Sequence, residues 1–140
     1  LICDGVHLAP DVIRMAMSSA GPKRIALVTD AMSATGQPDG DYILGSLPVK
    51  VVDGRARLLA ADGSLGAIAG STLTMGRAVE FVTSVVGIPL GQVAVMAATT
   101  PAKLHGLNEV GVIEEGHWAD LCLTDAKGHL VRVIHRGEAV

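Results

Sequence analysis

The stretch Ile25-Ala26-Leu27-Val28-Thr29-Asp30-Ala31-Met32 decides the fold. Its apolar run, β-branched at Ile25, Val28 and Thr29, stops at a carboxylate and passes into the loop Ser33-Ala34-Thr35-Gly36. A buried parallel strand has this texture, with Asp30 at its C-terminal tip. In (β/α) barrels that tip is where the chemistry sits. Asp is also common as a cap of a turn or of the next helix, so the segment by itself leaves both readings of Asp30 standing.

Upstream, Leu1-Ile2-Cys3 reads as a short strand, followed by the loop Asp4-Gly5-Val6-His7-Leu8-Ala9. Pro10-Asp11 can start a helix that runs to about Ser19 and is ended by Ala20-Gly21-Pro22. Strand, helix and strand at this spacing make one βαβ unit of a parallel sheet. The loop holding His7 then opens on the same face as Asp30, so the two side chains can share a pocket. An ordinary surface-loop histidine is the equally open alternative.

Downstream the pattern changes. Tyr42–Leu44, Pro48–Val52 and Ala56–Ala60 read as three short strands, with Asp53-Gly54 a hairpin turn between the last two. Residues 36–66 therefore form a β insertion growing from the loop after Asp30. A helix capped by Ser71 or Thr72 is expected to run to about Val86, with Met75, Ala78, Val79, Val82, Val85 and Val86 as its apolar stripe. A second helix is expected from about Leu90 to Ala98. A third begins at Thr100-Pro101, a cap followed by Pro, and closes at Gly106. From Gly111 the texture is β again, with strands at Ala119–Thr124 and Leu130–Arg136 in a separate layer.

Composition narrows the function classes. The 140 residues suffice for a real core, and the chain opens on Leu1-Ile2-Cys3-Asp4, in mid-strand and without an initiator Met. It reads as the C-terminal portion of a longer protein. With 49% hydrophobic but only 2% aromatic residues, the core must be built from Val, Leu, Ile, Ala and Met. A net charge of −3 without a basic block argues against nucleic acid as a partner. No apolar stretch reaches the roughly 18 residues of a membrane span, so no membrane partner is expected and a cytoplasmic location is. Cys3 and Cys122 sit in apolar, strand-like contexts without CxxC spacing and read as buried thiols.

Few side chains are placed for chemistry. Asp30, a carboxylate at a strand tip, can serve as general base and then acid. Ile68-Ala69-Gly70-Ser71-Thr72 leads small residues into a helix start, which suits an anion or polar ligand, but simple N-capping by Ser71 or Thr72 is the favoured reading of these residues by themselves. His105, His117, His129 and His135 are weak candidates, and no HxH, HExxH or CxxC occurs.

Four blocks, in order, then carry a family resemblance: Asp4-Gly5-Val6-His7, Leu27-Val28-Thr29-Asp30-Ala31, Ala69-Gly70-Ser71-Thr72-Leu73-Thr74-Met75 and Thr100-Pro101-Ala102-Lys103. The chain resembles the C-terminal part of the N-acetylglucosamine-6-phosphate deacetylase family, within the amidohydrolase superfamily. A fifth block, Gly111 through Gly116-His117-Trp118-Ala119-Asp120-Leu121, marks the superfamily only. Ile68-Ala69-Gly70 stands where family members often have Leu-Ser-Gly or Leu-Ala-Gly.

The resemblance implies an α/β fold: the C-terminal part of a (β/α)8 TIM-like barrel over residues 1–110, with closing strands of a small β-sandwich over 111–140. It implies hydrolysis of N-acetylglucosamine 6-phosphate to glucosamine 6-phosphate and acetate, with Asp30 catalytic. Asp4, Gly5, Val6 and His7, together with Ile68, Ala69 and Gly70, become substrate-binding. It implies a divalent metal, zinc by expectation, whose ligands (a Glu and two His) lie upstream of these residues, as does the phosphate-binding Arg. No metal ligand is expected in this chain, and the piece alone is expected to be inactive. When full length, a homodimer is implied, with a sugar phosphate as small-molecule partner. The alternatives are another amidohydrolase, such as an aminoacylase or dihydroorotase relative, and a non-catalytic truncated module.

Overall fold

The computed structural model describes residues 1–140. In chain order the elements are α1 (Pro10–Ala20), β1 (Gly40–Leu44), β2 (Leu47–Val52), β3 (Arg55–Leu59), β4 (Leu65–Ile68), α2 (Met75–Phe81), α3 (Leu90–Ala94), α4 (Thr100–Leu104), β5 (Leu121–Thr124), β6 (Leu130–His135) and β7 (Glu138–Ala139). They fall into two compact units, one of Leu1–Val28 with Met75–Val140 and one of Thr29–Thr74.

In the first unit, α1 forms where the sequence places it. Pro10 occupies its first turn with Asp11 beside it, and Gly21 ends it by donating its N–H to the Met17 carbonyl. Ile2 and Val28 then meet as a parallel bridge, so strand, helix and strand do make a parallel unit. The strands themselves are shorter than expected. Each is reduced to a single bridge residue, and after Val28 the left-handed backbone of Asp30 (φ 53) interrupts the extended run before the next bridge at Ala31. Nor is the run buried throughout: Ile25 and Leu27 are buried, whereas Val28 is 47% exposed.

The helical region also departs from expectation. α2 starts at Met75, not next to Ser71 or Thr72. Ser71 is instead taken up in a parallel bridge to Ala31, and the Thr72 hydroxyl donates to the Gly54 carbonyl; the chain stays non-helical up to Met75. α2 widens into a π turn over Val82–Val86, closed by left-handed Gly87. The break expected at Thr100-Pro101 is absent. α3, a π turn over Val95–Thr99 and α4 form one helical run, and the Thr100 hydroxyl donates to the Pro22 carbonyl instead of capping. The π turn lies just ahead of Pro101, whose missing N–H leaves a carbonyl of the preceding turn without its helical partner. The core of this unit is aliphatic: Cys3, Ile13, Val82, Val93 and Met96 are fully buried. In the tail, β5, β6 and β7 form an antiparallel sheet in sequence order, one strand more than expected. Cys122 in β5 is exposed, which corrects its reading as a buried thiol.

The second unit is the β insertion. It has four antiparallel strands in the order β1-β2-β3-β4, where three were expected. β4 is missed in the sequence because Leu65-Gly66-Ala67-Ile68 lacks β-branched alternation and all four residues are exposed. The Asp53-Gly54 hairpin forms with both residues left-handed, and Asp39 accepts both of their N–H groups. One sheet face buries Val49, Val51 and Ala56 with Met32, Ala34 and Ala69, flanked by Tyr42 and Leu58. That core holds Met32 and Ala34, which follow Asp30, and Ala69, which precedes Gly70.

Candidate functional site

The structure gathers the candidate residues into two groups, one in each unit. In the first unit, Asp4 and His7 form a closed motif. Asp4 Oδ1 accepts the N–H of Val6 (2.8 Å) and of His7 (2.9 Å), while Oδ2 lies 2.7 Å from His7 Nδ1. The short carboxylate thus folds the loop around itself and fixes the imidazole. Burial works against the Asp4 charge, but the two backbone N–H bonds and the imidazole outweigh it and hold the carboxyl below its usual range. With Nδ1 committed to Asp4, Nε2 is the ring nitrogen left to face a ligand.

Gly5 makes this loop possible. Its φ of +74 is left-handed, and a Cβ there would stand 3.0 Å from Cε2 and Cζ of Phe81. Val6, by contrast, is exposed and makes its contribution through its backbone N–H.

In the second unit, Asp30 is exposed on a left-handed backbone, an uncommon state for a residue other than glycine. Ser71 flanks it, and at 4% exposure is the buried polar side chain of the chain. The Ser71 N–H donates to the Asp30 carbonyl (2.7 Å), and its hydroxyl donates to the Thr29 carbonyl (2.5 Å). The same hydroxyl oxygen accepts the Leu73 N–H at 3.0 Å, and the Ser71 carbonyl accepts from Met32 N–H (2.9 Å) and the Thr35 hydroxyl (3.3 Å). Gly70 lets the two segments approach. It too is left-handed (φ +67), and a Cβ on it would lie 3.1 Å from the Asp30 carbonyl oxygen and 3.4 Å from Met32 Cβ. Ala69 is buried and donates its N–H to the Ala56 carbonyl, and Ile68 is 44% exposed and pairs with Arg57.

No group of three or more His, Cys, Asp or Glu side chains is arranged to hold a metal ion. Asp4 and His7 come close in kind, but their facing atoms are spent on each other. The donor set of this chain therefore does not fit a metal centre by itself. His129 and His135 bond to Asp125 and Asp120 in the tail, which gives these weak candidates a structural explanation. No helix is long and apolar enough to cross a membrane.

Two features went unread in the sequence. The Asp4–His7 pairing had a signal, since Asp-x-x-His at a loop start is a spacing at which a carboxylate reaches both the backbone and the ring. The Ser71 clamp had none, because its partner Thr29 lies 42 residues away.

Comparison with known proteins gives a consistent answer. The model of the amidohydrolase family matches residues 6–140. N-acetylglucosamine-6-phosphate deacetylase of Vibrio furnissii is 35% identical over 141 aligned residues, covering 100% of this chain and 34% of that protein. A putative N-acetylgalactosamine-6-phosphate deacetylase of Escherichia coli (strain K12) is 32% identical, covering 99% of this chain and 80% of that protein. Among solved structures, N-acetylglucosamine-6-phosphate deacetylase of Thermotoga maritima is 40% identical with a TM-score of 0.87, over 99% of this chain and 37% of that one. The chain thus spans about a third of the length of the Vibrio and Thermotoga proteins. With its mixed helix and sheet and a family match over nearly its whole length, the chain belongs to the amidohydrolase family.

Proposed function

We propose that this chain is the part of an N-acetylglucosamine-6-phosphate deacetylase that carries the catalytic aspartate. The observation that bears most of the weight is Asp30. It is an exposed carboxylate held on a strained, left-handed backbone between the parallel bridges at Val28 and Ala31. Strain of this kind, about 1–3 kcal/mol, persists where the surroundings enforce it, and it concentrates at functional sites. The deacetylases similar over the full chain supply the substrate class.

On this reading the elements at residues 1–110 belong to a (β/α)8 barrel, and those at 111–140 to its appended β-sandwich. The Asp30 carboxylate takes a proton from the water that attacks the acetamide carbonyl. It returns that proton to the amine nitrogen as the C–N bond breaks, releasing acetate and glucosamine 6-phosphate. One group must act as base and then acid, because an unprotonated amine anion is a poor leaving group. His7, oriented by Asp4, presents Nε2 to the sugar. Asp4, Gly5 and Val6 shape that loop, and the backbone of Ile68, Ala69 and Gly70 offers a second polar contact. Enzymes of this family are generally metal-dependent. The divalent metal of this reading, zinc by expectation, is held by residues outside these 140, as is the contact to the phosphate. The full-length protein is read as a cytoplasmic homodimer acting on a sugar phosphate.

A second substrate has an observation in its favour, since one relative is named for N-acetylgalactosamine 6-phosphate. The test measures acetate release by the full-length protein from N-acetylglucosamine 6-phosphate, N-acetylgalactosamine 6-phosphate and unphosphorylated N-acetylglucosamine. Highest kcat/KM on the first supports the proposal. Preference for the galactosamine epimer moves the assignment to the second substrate. No release from any of the three by folded, zinc-loaded protein overturns the deacetylase reading and favours another amidohydrolase.

A further inference from the structure

We infer that Ser71 is the positioning residue of Asp30, an inference that rests on the reading of Asp30 as proton shuttle. The geometry is specific. The direction of the Asp30 side chain is set by the two peptide planes that flank its Cα. The plane before it carries the Thr29 carbonyl, and the plane after it carries the Asp30 carbonyl. Ser71 holds both: its hydroxyl donates to the first at 2.5 Å, and its N–H donates to the second at 2.7 Å. Between these two anchors the Asp30 backbone sits at φ 53, a conformation that a non-glycine residue leaves when nothing holds it there.

Helix capping does not account for Ser71. The helix that follows starts at Met75, and the Leu73 N–H that the hydroxyl oxygen accepts lies in the non-helical segment ahead of it. Nor is a hydroxyl a comfortable core filler. At 4% exposure it tolerates burial only because both its donor and its acceptor capacity are used. Removing the hydroxyl spares the backbone half of the clamp, because the Ser71 N–H and carbonyl keep their bonds to Asp30, Met32 and the Thr35 hydroxyl. The peptide plane ahead of Asp30 is then the one set free, and the carboxylate loses its fixed aim while the segment keeps its place.

The test uses the full-length, zinc-loaded protein with Asp30→Asn, Ser71→Ala and Ser71→Thr, and reads kcat, KM and melting temperature on N-acetylglucosamine 6-phosphate. Misplacing a catalytic group by about 1 Å costs on the order of 100-fold in rate. Ser71→Ala should therefore lower kcat about 10- to 100-fold, with KM within about twofold of the parent. Ser71→Thr, which keeps the hydroxyl, should recover most of the loss. Ser71→Cys, similar in size but a weak donor, should behave like Ser71→Ala and replaces it if the alanine variant does not fold. Unchanged kcat in Ser71→Ala, a loss confined to KM, or a threonine variant as impaired as the alanine one overturns the inference while leaving Asp30 in its role. Near-normal turnover by Asp30→Asn sinks the underlying reading instead, so the two failures are told apart.

Discussion

His7 Nδ1 and Asp4 Oδ2 stand 2.7 Å apart, and the other oxygen of the same carboxylate holds the backbone N–H of His7 itself. One carboxylate thus fixes both the position of the residue and the orientation of its ring. The pair should set the tautomer: neutral His7 should carry its proton on Nδ1, leaving Nε2 as acceptor. Long-range proton–nitrogen spectra of the ring check this. Asp4→Asn should weaken the Nδ1–H preference and raise KM in the full-length protein. A ring protonated on Nε2 with Asp4 intact would remove the proposed role of the pair.

The same motif has a pH signature. The Asp4 carboxyl is lowered in the folded state, because bonds to backbone N–H groups and the imidazole overcome the effect of burial. A depressed folded value means that the stabilisation is fully present above the unfolded carboxylate value of about 4. It is lost as pH falls from there through the lower folded value. Denaturation curves between about pH 5 and pH 2 should show a shallower acid-side loss in Asp4→Asn than in the unsubstituted chain. Parallel curves across that range would contradict the assignment.

Gly5→Ala should destabilise by about 1–3 kcal/mol, since it imposes a left-handed conformation on alanine. Its Cβ would also press at 3.0 Å on the Phe81 ring. Pairing it with Phe81→Leu should recover the steric part and leave the backbone part. Urea denaturation of the single and double variants reads both, and additive losses would show that Phe81 is not the obstacle.

Burial separates two neighbours on α1. Ile13 is fully buried and Met15 is 64% exposed. Ile13→Ala should cost about 2–5 kcal/mol through lost burial and the cavity left behind. Met15→Ala should stay within about 0.5 kcal/mol. Equal melting shifts for the two would contradict the assigned core.

What was legible in the sequence was the local chemistry. Pro10-Asp11 and Gly21 mark the ends of α1, and Asp53-Gly54 marks its hairpin, because each rests on conformational preferences of adjacent residues. The β insertion was visible from alternation within β1, β2 and β3, whereas the exposed, glycine-containing β4 offers no such pattern. Long-range bonds were not legible. Ser71 and Thr72 look like caps by residue type, yet partners at Thr29 and Gly54 claim their hydroxyls. Thr100-Pro101 looks like a helix start, yet a π turn carries the helix through it. For the site, the identity of Asp30 and His7 was readable, while the left-handed backbone of the one and the carboxylate partner of the other depend on geometry.

The 140-residue chain alone should release no acetate from N-acetylglucosamine 6-phosphate above a no-enzyme blank, with or without added zinc. Its His, Cys, Asp and Glu side chains form no group that could hold a metal. Zinc-dependent release by the isolated chain would place the metal ligands within these residues after all.

The central claim is that Asp30 shuttles the proton. The most direct measurement is turnover of N-acetylglucosamine 6-phosphate by full-length Asp30→Asn, with bound metal quantified in the same sample. The account predicts a fall of at least about 100-fold in kcat, the scale of a lost general acid–base group, with metal content unchanged. An asparagine variant that keeps near-normal turnover with its metal in place would contradict it.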